Sequence, residues 1–130
     1  MTSLLSQQED SNDSKLLQTF QQVVKDTHIH KFNEYDILYF SNGLGGECGE
    51  VQNEVKKLYR ALISDNGSGS PDIQEINRRK KNIKSELGDV MWYLTSIANK
   101  LDYSLEDILH QCISKCKKHV VESSNKVSTK

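Results

Sequence analysis

The chain has 130 residues, 17 Lys and Arg against 18 Asp and Glu, and a formal net charge of −1. That length suits one domain, and a charged fraction of 27 % beside a hydrophobic fraction of 35 % favours amphipathic helices over a thick sandwich core. The balanced charge excludes the basic face of a nucleic-acid binder, and the longest apolar run, 90–94, is too short to span a membrane.

Residues 1–13 are rich in Ser, Gln, Asn and Asp and are expected to form a disordered tail. Residues 1–14 lack the apolar segment of a secretory signal. Cys48, Cys112 and Cys116, an odd set without a paired framework, read as reduced thiols, so a cytoplasmic setting is expected. Ser14 can cap a first helix, in which Leu16, Leu17, Phe20, Val23 and Val24 recur at helical spacing. After a connection over 28–33, a longer second helix is predicted from about Glu34 to Ile63. Leu44, Cys48, Val51, Val55, Leu58 and Leu62 form its apolar stripe. Gly43, Gly45, Gly46 and Gly49 weaken its first half and predict close approach by a backbone or ligand, or a local break.

The run 65–71, Asp-Asn-Gly-Ser-Gly-Ser-Pro, is the clearest loop, and Pro71 suits an early position of a third helix. That helix carries Ile76, Ile83, Leu87, Val90, Leu94, Ile97 and Leu101. Ser104 and Asp107 make the capping pattern S-x-x-D that opens a fourth helix with Leu105, Ile108, Leu109, Cys112 and Cys116. The folded domain is therefore expected over 14–121, with 122–130 as a C-terminal tail. The expected fold class is all-α, a four-helix, bundle-like arrangement whose two long central helices pack antiparallel.

At 100° per residue, Glu47, Glu50, Glu54 and Lys57 share an arc about a quarter turn from the stripe of the second helix. Glu86, Asp89 and Tyr93 share a strip beside the stripe of the third. Packed seam to seam, the two strips border one groove and bring the pairs Glu47/Glu50 and Glu86/Asp89 to a single site. Counting from the loop supports this: Glu47 lies 18 residues before Asp65 and Glu86 lies 16 after Ser70, so both pairs sit at similar depth. Four carboxylates in one groove repel each other unless a cation neutralises them. Hard divalent cations, Mg2+ first and Mn2+ as its substitute, take such oxygen ligands and leave room for substrate phosphates. An isolated acidic i,i+3 pair is ordinary solvated surface. Here each pair adjoins a glycine and lacks the i,i+4 lysines of a solubilising face, apart from Lys84.

Residues 43–57, Gly-Leu-Gly-Gly-Glu-Cys-Gly-Glu-Val-Gln-Asn-Glu-Val-Lys-Lys, resemble the first signature of the MazG-like nucleoside triphosphate pyrophosphohydrolases. Residues 86–94, Glu-Leu-Gly-Asp-Val-Met-Trp-Tyr-Leu, resemble the second, and 113–115, Ile-Ser-Lys, resemble the lysine-bearing segment of the family's last helix. The resemblance covers roughly 32–118. It implies an all-α enzyme, assembled as a homodimer or homotetramer, that hydrolyses a nucleoside triphosphate between its α and β phosphates. It further implies Glu47, Glu50, Glu86 and Asp89 as magnesium ligands, Tyr93 as a nucleotide contact and Lys115 as a phosphate contact. Position 57, an aromatic base contact in relatives that cleave dCTP, is Lys57 here, a substrate contact of different preference. Cys112 stands where many relatives carry asparagine. Glu54, behind the ligands, is a further candidate to orient or deprotonate the attacking water. Two rivals are a phosphoribosyl-ATP pyrophosphohydrolase, which the G-E-x-G-E signature fits less well, and a helical interaction module without turnover, which the intact acid quartet opposes.

Other residues carry weaker signals. Trp92 falls opposite the apolar seam of its helix, which predicts a subunit contact or packing under the first helix. Cys112, Cys116 and His119 are spaced by four and three but lack an evident fourth zinc ligand, and the cysteines read as small hydrophobes of a core stripe. His28 and His30 read as surface residues.

Overall fold

The computed structural model describes residues 2–28, 33–64, 67 and 69–127, without the side chains of 2–11 and 125–127. Among the described residues there are four helices and no strand: α1 (Thr2–Asp26), α2 (Asp36–Ile63), α3 (Ile73–Lys100) and α4 (Leu105–Val127). The all-α expectation holds, but several boundaries move. α1 starts at Thr2 instead of after Ser14, because 2–13 contains no glycine or proline to stop it. The Ser14 hydroxyl does not cap; it donates to Glu106 Oε2 at 2.9 Å. α4 likewise runs through the expected tail to Val127. α2 passes its four glycines without a break. α3 opens after Asp72, whose Oδ1 accepts from the backbone N–H of Gln74 (3.0 Å) and Glu75 (3.1 Å). Asp72 is thus the N-cap, and Pro71 precedes the helix. The predicted cap at Ser104 is present, its hydroxyl accepting from the Asp107 N–H at 3.0 Å. His30 and the loop positions 65, 66 and 68 lie outside the described residues.

The chain divides into two compact units, 30–97 and the combination of 1–29 with 98–130. In the latter, Gln21 joins α1 to the turn between α3 and α4. Its Nε2 donates to Asn99 Oδ1 (2.9 Å) and to the Tyr103 carbonyl (3.0 Å), while its Oε1 accepts from the Leu105 N–H (2.9 Å). One glutamine side chain therefore satisfies an orphan donor at the start of α4. Asp102, at φ 57, takes the left-handed position after α3, and the Tyr103 N–H returns to the Ala98 carbonyl at 2.9 Å, a Schellman closure. Val24, Ala98 and Leu105 are buried in this unit.

In the other unit, α2 and the body of α3 pair antiparallel, the first turns of α2 lying against the later turns of α3 and the later turns of α2 against its first half. Phe40 meets Trp92, Gly43 meets Tyr93, Glu47 gathers with Glu86 and Asp89, and Glu54 meets Arg79 and Asn82. The seam on α2 is therefore 40, 43, 47, 54 and 61, with Phe40, Glu54 and Ala61 buried. The apolar stripes expected to form it lie one residue on, about 100° around each helix. Val55 and Leu62 on α2 and Leu87 and Leu94 on α3 remain exposed. The seam holds aromatic rings over a glycine at one end and bonded polar groups at the other, so it closes by close approach and ion pairing, with few aliphatic side chains.

Trp92 is half-buried, and its ring lies edge-on to Phe40 at 6.3 Å and 73° within its own unit. One further expectation is corrected. Cys112 and Cys116 are exposed, as is His119, so the thiols of α4 do not fill a core stripe.

Candidate metal centre

Three tiers follow one another along the α2–α3 pair. At the first, Phe40, Trp92 and Tyr93 stack edge to face, with Trp92 and Tyr93 centroids 5.0 Å apart, and Tyr39 leans on Tyr93 at 6.4 Å. The Tyr93 ring fills the place a Cβ on Gly43 would occupy, so glycine is required there by close approach. The other helical glycines, Gly45, Gly46, Gly49 and Gly88, face open space. Burial first, then the hydrogen bond with Tyr39, pushes the Tyr93 hydroxyl pKa up.

One turn further, at the second tier, Glu47, Glu86 and Asp89 each bring a carboxylate oxygen within 4.8 Å of the others. Glu47 and Glu86 are half-buried and Asp89 is exposed, so the group opens to solvent on one side. The Glu86 pKa is raised, first by burial and then by the charges of Asp89, Glu47, Glu50 and Glu54. Every one of those neighbours disfavours its ionised form, which is the electrostatic state a bound cation relieves. Glu50 is exposed and falls outside the close triad, though its charge is felt at Glu86. The donor set is all carboxylate, which fits a hard divalent ion and not zinc or copper.

At the third tier, two turns beyond Glu47, the side chain of Glu54 is only 7 % exposed. Lys57 Nζ donates to its Oε1, Arg79 Nη1 to its Oε2 at 3.1 Å, and Asn82 Nδ2 to the same oxygen at 3.1 Å. Arg79 also holds Glu75 through Nε at 2.7 Å. These donors, the Lys57 ammonium first, outweigh burial and bring the Glu54 carboxyl down to about 2. A carboxylate so weakly basic, with both oxygens engaged, is badly suited to take a proton from water.

Of the residues singled out by sequence, then, the structure brings Glu47, Glu86 and Asp89 together and sets Tyr93 one turn away. It ties Lys57 to Glu54 and leaves Lys115 exposed on α4, in the other unit. Cys112, Cys116 and His119 do not converge as a metal set among the described residues. Arg79 and Asn82 were missed. Arg79 sits in the basic run 78–81, which reads as solvated surface. The available signal was its heptad spacing to Glu86 and Tyr93, which turns Arg79 alone of that run to the acidic face.

The MazG nucleotide pyrophosphohydrolase domain matches this chain over residues 39–120. The Gene 37 protein of Mycobacterium phage L5 is 35 % identical over 77 residues, which are 59 % of this chain and 60 % of that protein. No solved structure matches the chain. The matched span holds all three tiers and extends through most of α4, and the chain belongs to the MazG nucleotide pyrophosphohydrolase family.

Proposed function

We propose that this chain is a magnesium-dependent hydrolase that cleaves a (deoxy)nucleoside triphosphate to the monophosphate and pyrophosphate, in nucleotide-pool housekeeping. The observation that carries this reading is the convergence of Glu47, Glu86 and Asp89 within 4.8 Å on one open face. These three, joined by Glu50, would hold magnesium, with manganese as a substitute. Bound there, the ion supplies charge neutralisation of the triphosphate and polarisation of the phosphoryl group under attack. Glu50, exposed and outside the triad, would keep one carboxylate oxygen free of the ion to orient the attacking water and receive its proton. Glu54 does not serve as that base, since its oxygens are held by Lys57, Arg79 and Asn82. Tyr93, one turn from the acids, takes the nucleoside end, Lys57 on their other side is a further substrate contact, and Lys115 is the phosphate partner. The test is turnover of a panel of nucleoside triphosphates with Mg2+, products resolved by chromatography. Glu47→Gln and Asp89→Asn should each lower kcat/KM by about 100-fold or more with helicity retained, and Lys115→Ala should raise KM. Release of orthophosphate in place of pyrophosphate, or wild-type turnover in both acid variants, would overturn the reading.

The partner we propose is a second copy of the chain, as a homodimer or homotetramer. Val55, Tyr59 and Leu62 on α2 and Leu87, Met91 and Leu94 on α3 are 41–62 % exposed. Rotating by about 100° in the same sense on two antiparallel helices brings both stripes to one side of the pair, away from the side to which Glu50 and Asp89 turn. An apolar layer two helices wide, opposite the acids, suits an isologous contact. Sedimentation should show a dimer or larger at micromolar concentration, reduced by Leu87→Glu with Leu94→Glu. A wild-type monomer, or a charged variant that keeps its assembly, refutes this surface.

A further inference from the structure

We infer that Arg79 and Asn82 are positioning residues: by bonding the buried Glu54 across the seam, they set the helical register that brings Glu86 and Asp89 against Glu47. The inference rests on reading the acidic tier as a cation site. Glu54 comes seven residues after Glu47, and Asn82 comes seven before Asp89. The lock and the acids are thus the same two turns apart on both helices, about 10 Å. A slip of one residue at the lock would carry either helix about 1.5 Å along and turn it by 100°, separating the carboxylates.

The lock has the chemistry for this task. Arg79 presents a planar fork, reaching Glu54 from Nη1 and Glu75 from Nε, so its head is fixed by its own helix before it crosses to the other. Its side chain is 15 % exposed and that of Glu54 is 7 %, so water competes little for either group. Asn82 donates to the oxygen that Arg79 also uses, which restricts the Glu54 carboxylate to one orientation. Lys57 holds the other oxygen from within α2. The repulsion among Glu47, Glu86 and Asp89 would push the helices apart when no ion is bound, and this bridge resists it from outside the acidic tier.

Sign separates a register lock from simple electrostatics. Removing the Arg79 charge makes the groove more negative, so Coulomb's law alone leaves Mn2+ binding unchanged or tighter. Loss of register makes it weaker. Full-length wild type, Arg79→Met, Arg79→Lys and Asp89→Asn are titrated with Mn2+ alone, and turnover is measured against metal concentration. Arg79→Met should bind Mn2+ about tenfold or more weakly. Its turnover at saturating metal should recover to within about twofold of wild type. Arg79→Lys, which keeps the charge and loses the fork, should fall between, and it carries the same comparison if Arg79→Met does not fold. A thermal-unfolding cycle of Glu54→Gln with Arg79→Met needs no metal: the double variant should melt no lower than the worse single one. Mn2+ affinity unchanged or tighter in Arg79→Met, or additive losses in that cycle, overturns the lock. If Asp89→Asn binds Mn2+ as wild type does, the acidic tier is not the ion's site, and the unfolding cycle alone decides the lock.

Discussion

On one side of the Glu47–Asp89 tier the α2–α3 pair is held by rings, and on the other by charges. The aromatic side lets Phe40, Trp92 and Tyr93 stack over the bare backbone of Gly43, and what it gains is area and close approach. Such packing tolerates small slides, because dispersion and burial have little direction. The ionic side buries one carboxylate under three donors, and a buried charge cluster adds little net stability once desolvation is counted. What it supplies is direction, since a planar fork and an amide must meet a carboxylate in one geometry. Closeness and register are thus provided at different ends, and the acids lie between them.

The largest way to break that comparison is at Gly43. Gly43→Ala puts a methyl where the Tyr93 ring lies, and overpacking of this kind costs about 1–3 kcal/mol, a loss of several degrees in Tm. Gly88→Ala, facing open space in the same pair, should instead stabilise by about 0.5–1 kcal/mol through helix propensity. In a Tyr93→Ala background the penalty at Gly43 should vanish. Thermal unfolding of the four variants checks this, and equal effects of alanine at Gly43 and Gly88 would contradict the close approach.

Much of this arrangement was legible in the sequence. The four helices, their antiparallel centre, the Ser104 cap and the two acidic pairs follow from periodicity, breakers and i,i+3 spacing. The seam did not follow, because the strongest apolar stripe on each helix was assigned to it. The stripe at Val55, Leu62, Leu87 and Leu94 lies one position away and stays exposed, while the true seam is written in Gly43, Glu47, Glu54, Arg79 and Glu86. Hydrophobic periodicity cannot mark a contact made of a glycine and compensated charges. For the same reason Glu54 looked like a spare base: its position was readable, but two of the three donors that hold it come from 25 and 28 residues away.

The ionic side should also fail at a pH where the aromatic side does not. The Glu54 carboxyl is lowered from 4.5 in the unfolded chain to about 2 in the fold. A depressed folded value means that the contribution is fully present above pH 4.5 and is lost as pH falls toward 2. Glu75, lowered by Arg78 and Arg79, acts in the same direction. Glu86 acts oppositely, since its raised value makes protonation on acidification favourable to the fold. The net wild-type profile therefore mixes signs, and the informative quantity is a difference between variants. The gap in Tm between wild type and Glu54→Gln should be largest near neutral pH and should close as pH approaches 2, because protonated Glu54 bonds its donors no better than glutamine does. Tyr93→Phe removes a hydroxyl with a raised pKa, well above this range, so its gap to wild type should stay flat between pH 2 and 4.5. Unfolding followed by circular dichroism across that range reads both gaps. A Glu54→Gln gap that persists unchanged to the lowest pH would mean that the side chain contributes by shape and not by charge, and the contrast between the two ends of the pair would then be one of geometry alone.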